Sequence, residues 1–355
     1  MRAAARRDSL RIRLPGGRSR QEDGRLCKLI GARRRALRYT AEARRNGGQY
    51  KGHRRSHWRR QAERFLIKIR ARRAQLPARR RSGRRPRLVV TTEAARVKRP
   101  VAQIAAAGDI SDSSLSGQDR TDELIVDQGL DAVLTLGDNQ YDDGALSDFN
   151  AYFGPTWGRA KSIMFPSPGN HDPCPDSGYD EYFGSRAPGC WYGIEIGGWR
   201  FISLDSNQPS NREQLSFLEK ELAAHSNKCV AAYWHHSRFS SGSRHGNQPK
   251  VGVFWTRLYD AGADLVLSGH DHVYERFAPQ SPSGQRDDTR GIREFIVGTG
   301  GKGLYSFSDI EPNSEVRSND SNGVLRLTLH PASYDWKFVP VAGETFSDSG
   351  SGACH

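Results

Sequence analysis

An α/β fold is what this 355-residue sequence predicts, and three observations predict it. From Val101 onward, short apolar runs alternate with longer amphipathic stretches. The runs are apolar throughout rather than at every second position, as in strands covered on both faces. Run after run ends on Gly, Asp, Asn or His, the arrangement of an α/β protein whose strand-terminal loops carry the chemistry.

In chain order, residues 101–107 are the first expected strand, ended by Gly108-Asp109. A helix over 119–128 leads to a strand at 132–136, ended by Gly137-Asp138-Asn139-Gln140-Tyr141. The short apolar stretch Ile163-Met164-Phe165 precedes Pro168-Gly169-Asn170-His171-Asp172. After a strand at 201–204 comes the clearest helix, 211–224. Asn211 can cap it, Gln214 can reach back as in a capping box, and Leu215, Leu218 and Leu222 share one face. The strand 230–234 runs into His235-His236, and a helix over 251–261 follows. Residues 263–267 run into Gly269-His270-Asp271-His272, and 295–297 form another strand. Residues 323–329 and 334–339 alternate as an antiparallel hairpin, expected to be edge strands closing a second sheet.

The formal net charge of +14 conceals two unlike segments. Residues 1–99 carry 34 Lys and Arg against 6 Asp and Glu, whereas residues 100–355 carry 20 against 34. The body is acidic at −14, and the leader is basic at +28. Such a leader cannot offset the cost of ordering its chain, so 1–99 is expected to be disordered. Three readings of it stand: upstream sequence of a GC-rich genome outside the natural protein, a plain tail, or an arm whose Arg side chains bind nucleic-acid phosphates. No apolar stretch reaches bilayer length and no signal peptide is visible at Met1, so no membrane association is expected and the compartment is not legible. Of the five Cys, Cys27 lies in the leader, and Cys174, Cys190, Cys229 and Cys354 match no zinc spacing. They could form two disulfides in any of three connectivities, implying an oxidising compartment, or remain buried thiols.

The five polar strand ends carry the functional signal. One Gly-Asp at a strand end is an ordinary turn; five such groups in one body are not a packing requirement. Together they offer two carboxylates, an Asn carbonyl, three imidazoles and a phenol. That is too many donors for one divalent ion and suits two, which a bridging carboxylate would hold roughly 3.5–4 Å apart for in-line attack on phosphorus. Oxygen and imidazole without thiolate point to Fe, Mn or Zn.

These motifs resemble the calcineurin-like metallophosphoesterase superfamily and, within it, the purple acid phosphatase branch. The likeness runs from about Val101 to the C-terminus. It implies a four-layer α/β/β/α sandwich, here over residues 100–355, with a dinuclear metal site at the C-terminal ends of strands. Most of the superfamily opens with Asp-x-His, but here Ser111 stands at the His position. Tyr141, three residues after Asp138, has the branch's spacing for a phenolate that replaces that His and favours Fe(III). The branch usually has Gly where Ser111 stands.

By position, the resemblance implies Asp109, Asp138, Tyr141 and His272 on the first metal, Fe(III). Asp138 bridges, and Asn170, His235 and His270 complete the second site, for Fe, Zn or Mn. His235 is chosen over His236 by the family's His-x-Pro spacing, although Ser237 replaces the Pro. His171 and His245 are the substrate-facing candidates; for His245 a solvated loop position is an equal alternative. The implied activity is acid phosphatase-like hydrolysis of small phosphate monoesters by metal-bound hydroxide, and relatives of this kind are often exported. Alternatives are a phosphodiesterase or nuclease of the same superfamily, or a degenerate metal-binding module. The acidic body repels a polyanion, which leaves nucleic acid only to the leader.

Overall fold

The computed structural model describes residues 101–355. The Arg-rich leader, with its expected disorder and its three readings, lies outside the described residues.

Thirteen strands occur among the described residues. In chain order they are β1 (Ala102–Ala107), β2 (Ala132–Leu136), β3 (Met164–Ser167), β4 (Tyr192–Ile196), β5 (Trp199–Ser203), β6 (Val230–His236) and β7 (Leu265–Gly269). Then come β8 (Tyr274–Phe277), β9 (Arg293–Val297), β10 (Ser314–Ser318), β11 (Gly323–His330), β12 (Ser333–Pro340) and β13 (Ser349–Ala353). They form a six-stranded sheet of order β13-β12-β11-β1-β2-β3 and a seven-stranded sheet of order β10-β8-β9-β7-β6-β5-β4. The strands that lead into the polar loops are parallel: β1 with β2 and β3, and β5 with β6 and β7.

Alternation along β6 shows how the layers stack. Ala231 and Tyr233 join Leu134, Leu265 and Phe295 in the core between the sheets. Ala232 and Trp234 face the other way, into a core with Leu218, Phe254, Trp255 and Leu258 from helices Arg212–Ala224 and Gly252–Asp260. On the far side of the six-stranded sheet, short helices at Gly117–Thr121, Trp157–Ile163 and Tyr179–Phe183 supply Trp157 and Phe183 to the core. The result is the four-layer α/β/β/α sandwich. Fully apolar runs suit it, because both faces of each central strand are dry.

Several elements differ from expectation. Asn211 caps its helix, accepting from the Glu213 and Gln214 backbone N–H groups, but no capping box forms. The buried Gln214 amide instead accepts from Asp205 N and donates to the Asp205 and Gln208 carbonyls, satisfying loop groups that would otherwise be orphaned. The helix expected over 119–128 breaks early: Asp122–Leu124 tightens to a 3-10 turn and Asp127 takes φ 56°, which a helix interior excludes. The C-terminal hairpin is real, pairing Gly323 with Pro340 through His330 with Ser333. It does not close a second sheet as edge strands. Five of the eight β11 residues are buried, and β11 is interior, antiparallel to β1, while β13 takes the edge. Both disulfides are present, as Cys174–Cys190 and Cys229–Cys354.

Candidate metal centre

Five strand ends bring the named residues together, and each sheet supplies part of the set. Asp109 follows β1, Asp138 and Tyr141 follow β2, and Asn170 follows β3, all in the six-stranded sheet. His235 is the penultimate residue of β6, and His270 and His272 follow β7, in the seven-stranded sheet. Gly137 permits the approach. Its φ is 81°, and a Cβ there would lie 2.6 Å from the His235 side chain.

The side chains meet in two groups that share Asp138. In the first, the Tyr141 hydroxyl lies 2.9 Å from Asp109 Oδ1, 2.9 Å from Asp138 Oδ2 and 3.1 Å from His272 Nε2. His272 Nε2 is also 3.3 Å from Asp109 Oδ1. In the second, His235 Nε2 lies 3.2 Å from Asp138 Oδ2, 3.1 Å from Asn170 Oδ1 and 3.1 Å from His270 Nδ1. Asp109, Asp138 and His235 alone offer three donor atoms within 4.8 Å of one another. His236 turns away and pairs its Nδ1 with the Ser206 hydroxyl at 2.8 Å.

This donor set fits cations. Backbone carbonyls accept only, so His235 Nδ1–H donates to Leu136 O at 2.9 Å and His272 Nδ1–H donates to Gly303 O at 2.8 Å. In its neutral form each ring therefore turns a bare Nε2 into the cluster, the tautomer a ligating imidazole needs. Two buried carboxylates lie there, yet no Lys or Arg among the described residues forms an ion pair with Asp109 or Asp138. The protein alone answers that charge with imidazole. Burial disfavours a charged His235, but Asp138 beside it outweighs this and lifts the ring to about 9. His270, buried beside other imidazoles, is driven far down. Burial and then the Asp109 and Asp138 carboxylates hold the Tyr141 phenol well above its ordinary value. A phenolate forms there only against added positive charge.

The two substrate-facing candidates lie at the rim. His171 packs on Tyr141 with ring centroids 4.3 Å apart, and its Nδ1 faces the Asp142 carbonyl. His245 is exposed on a loop, and its ring stacks on His270 at 3.9 Å. Ser111 is buried with its hydroxyl unpartnered. Ser237 Oγ donates to Gly269 O at 2.9 Å, tying β6 to β7 at the position where Pro is usual.

Sequence reasoning missed several supporting groups. Asp172 accepts from Asn139 N, Asn139 Nδ2 and Gly169 N, so one carboxylate organises the loops that carry Asp138 and Asn170. Its burial, with Asp138 nearby, lifts it to about 7. Tyr305 stacks on His272 at 3.9 Å, and the Lys302 ammonium lies 4.1 Å from the Tyr141 ring centroid. Asp172 was legible as the last member of its motif. Nothing in local spacing marks Tyr305 or Lys302.

Comparison with known proteins agrees with this fold. Residues 102–274 match the family model described as calcineurin-like phosphoesterase. Two similar relatives from Arabidopsis thaliana are named probable inactive purple acid phosphatase 1 and 27. The first is 24% identical over 272 residues, covering 64% of this chain and 44% of the relative. The second is 24% identical over 255 residues, covering 59% and 41%. The chain thus spans less than half the length of these curated relatives. Among solved structures, the purple acid phosphatase PPD1 from seeds of yellow lupin, Lupinus luteus, superposes with a TM-score of 0.57 at 18% identity, covering 71% of this chain and 53% of that one. By fold, motif and sequence, residues 102–274 match the calcineurin-like phosphoesterases, and the chain is similar to the purple acid phosphatases.

Proposed function

We propose that this protein hydrolyses small phosphate monoesters at a dinuclear metal site. Asp109, Asp138, Tyr141 and His272 hold one ion, and Asp138, Asn170, His235 and His270 hold the other. The observation that carries the reading is the pair of donor groups sharing one carboxylate, with the Nε2 atoms of His235 and His272 turned inward. Bound metal ions would supply water activation near neutral pH and would offset charge on the phosphoryl oxygens. A phenol donor at the first site favours Fe(III), and the second site suits Fe, Zn or Mn.

The chain's own groups then have distinct tasks. Asn170 presents a neutral carbonyl oxygen, so the second group carries less negative charge than the first. The Asp142 carbonyl occupies His171 Nδ1–H, which leaves Nε2 as the other proton site. His171 is half-buried and can hand that proton to the leaving oxygen of an ester. His245, whose ring stacks on His270, would contact the phosphoryl group. Two disulfides favour an oxidising, extracytoplasmic setting.

The test uses the purified full chain, its metal content, and turnover of a chromogenic monoester beside the matching diester. Two ions per chain with monoester preference supports the reading; diester preference replaces it with a phosphodiesterase. Because two relatives carry the word inactive in their names, a metal-binding protein without turnover is the second reading. Full metal content with neither ester hydrolysed would establish it.

A further inference from the structure

The acid between the two histidines, Asp271, has no place in either donor group. It is fully buried, and its carboxylate points away from the metal cluster into the loop that carries His245. Oδ2 accepts from the Ser240 hydroxyl at 2.6 Å and from Gly246 N at 3.0 Å; Oδ1 accepts from His245 N at 3.1 Å. Ser240 Oγ in turn accepts from Gly242 N at 3.0 Å. Gly242 lies so close that a Cβ there would overlap the carboxylate. One side chain therefore satisfies three donors of a loop that has no secondary structure over 243–245 beyond bends. Four residues on, Glu275 holds the near end of the same loop through Ser241 N at 2.8 Å and Ser241 Oγ at 2.6 Å. Held at both ends, the loop lays the His245 ring on His270 at 3.9 Å with an interplanar angle of 28°.

We propose that Asp271 is a positioning residue: by binding Ser240, His245 and Gly246 it fixes the His245 imidazole over the metal cluster, where it meets the phosphoryl group of a bound substrate. The inference rests on the monoesterase reading for the role of His245, but the placement of the loop does not. An unmoored exposed loop samples many conformations, and each lost orientation lowers the fraction of encounters that are productive.

The experiment is a double-mutant cycle in the metal-loaded full chain, with Asp271→Asn, His245→Ala and both together. Asparagine keeps the volume and one acceptor but cannot accept from all three donors. Monoester kcat, the dissociation constant for inorganic phosphate, metal content, and amide exchange over residues 240–247 are measured. Asp271→Asn should keep its metal, speed exchange across the loop and lower kcat by roughly tenfold or more, a fraction of what a general acid–base or substrate-facing group contributes. In the His245→Ala background the same change should have almost no further effect on kcat or phosphate binding, because its route is already removed. Additive losses, loss of metal in step with activity, or unchanged exchange would overturn the proposal. A wild type that binds phosphate without turning over any monoester would refute the proposed function alone. The phosphate and exchange arms would then decide the role of Asp271.

Discussion

At the scale of single residues, Asp109, Asp138 and His270 all hold positive φ, at 59°, 46° and 72°. A side chain in that region costs roughly 1–2 kcal/mol, so three such residues in one site store backbone strain that the surrounding hydrogen bonds must hold. Asp138 is the donor common to both groups, so Asp138→Asn should take metal content from two ions toward none, read by elemental analysis. Tyr141→Phe should spare part of the metal but abolish the visible charge-transfer band expected of oxidised, iron-loaded wild type. A band that survives makes Tyr141 a packing aromatic. His171→Ala should leave metal content near normal and slow poor leaving groups by ~10²–10⁴-fold, with good leaving groups less affected. Glu294 offers a pH test away from the donors. Burial lifts its carboxyl from 4.5 to about 8 in the folded protein. Between those values the unfolded chain has released its proton and the folded chain has not, so stability falls as pH rises through the window and levels off above it. Denaturant unfolding across pH 4.5 to 8 should show a smaller slope for Glu294→Gln, whatever its absolute stability.

At the scale of elements, the central strands were legible because they are long apolar runs between two dry layers. The weaker strands were not. β13 reads Ser349-Gly350-Ser351-Gly352-Ala353 and has no apolar face; its glycines let it lie against the Trp336 and Tyr334 rings. β10 has a single buried residue and no apolar run, and its pairing with β8 defines it. The motif loops could be read because chemistry fixed their residues, while the clamp groups Asp271 and Glu275 bond backbone far away in sequence. The disulfides belong to this scale too. Cys174–Cys190 closes the excursion just past His171, and Cys229–Cys354 fastens the start of β6 to a partner 125 residues away. Replacing either pair by Ser should cost roughly 2–5 kcal/mol in denaturant unfolding. Only loss of the first pair should also disturb the His171 loop, seen as slower turnover at unchanged metal content.

At the scale of the whole molecule, charge separates the leader from the body, and the proposed site residues all belong to the acidic part. A chain beginning at Arg96 should therefore fold and retain metal and turnover, measured by circular dichroism, metal analysis and monoester hydrolysis. Aggregation or loss of activity with metal supplied would assign the leader a working role. The two-sheet assembly itself was not readable from periodicity, since a buried run does not say which sheet it joins. The family resemblance gave that, and strand pairing bears it out.

Because the donors come from opposite sheets, an ion held at either group would act as a rivet through the middle of the sandwich. Removing it would do more than silence chemistry: buried carboxylates of one sheet would be left with only the imidazoles of the other to answer their charge and hold the layers in register. Resistance to heat would then follow free metal concentration, rising with the logarithm of its ratio to the dissociation constant. A chelator should lower the melting temperature and loosen the two sheets at the end where the loops meet, leaving the far end, braced by Cys229–Cys354, as the last part to open.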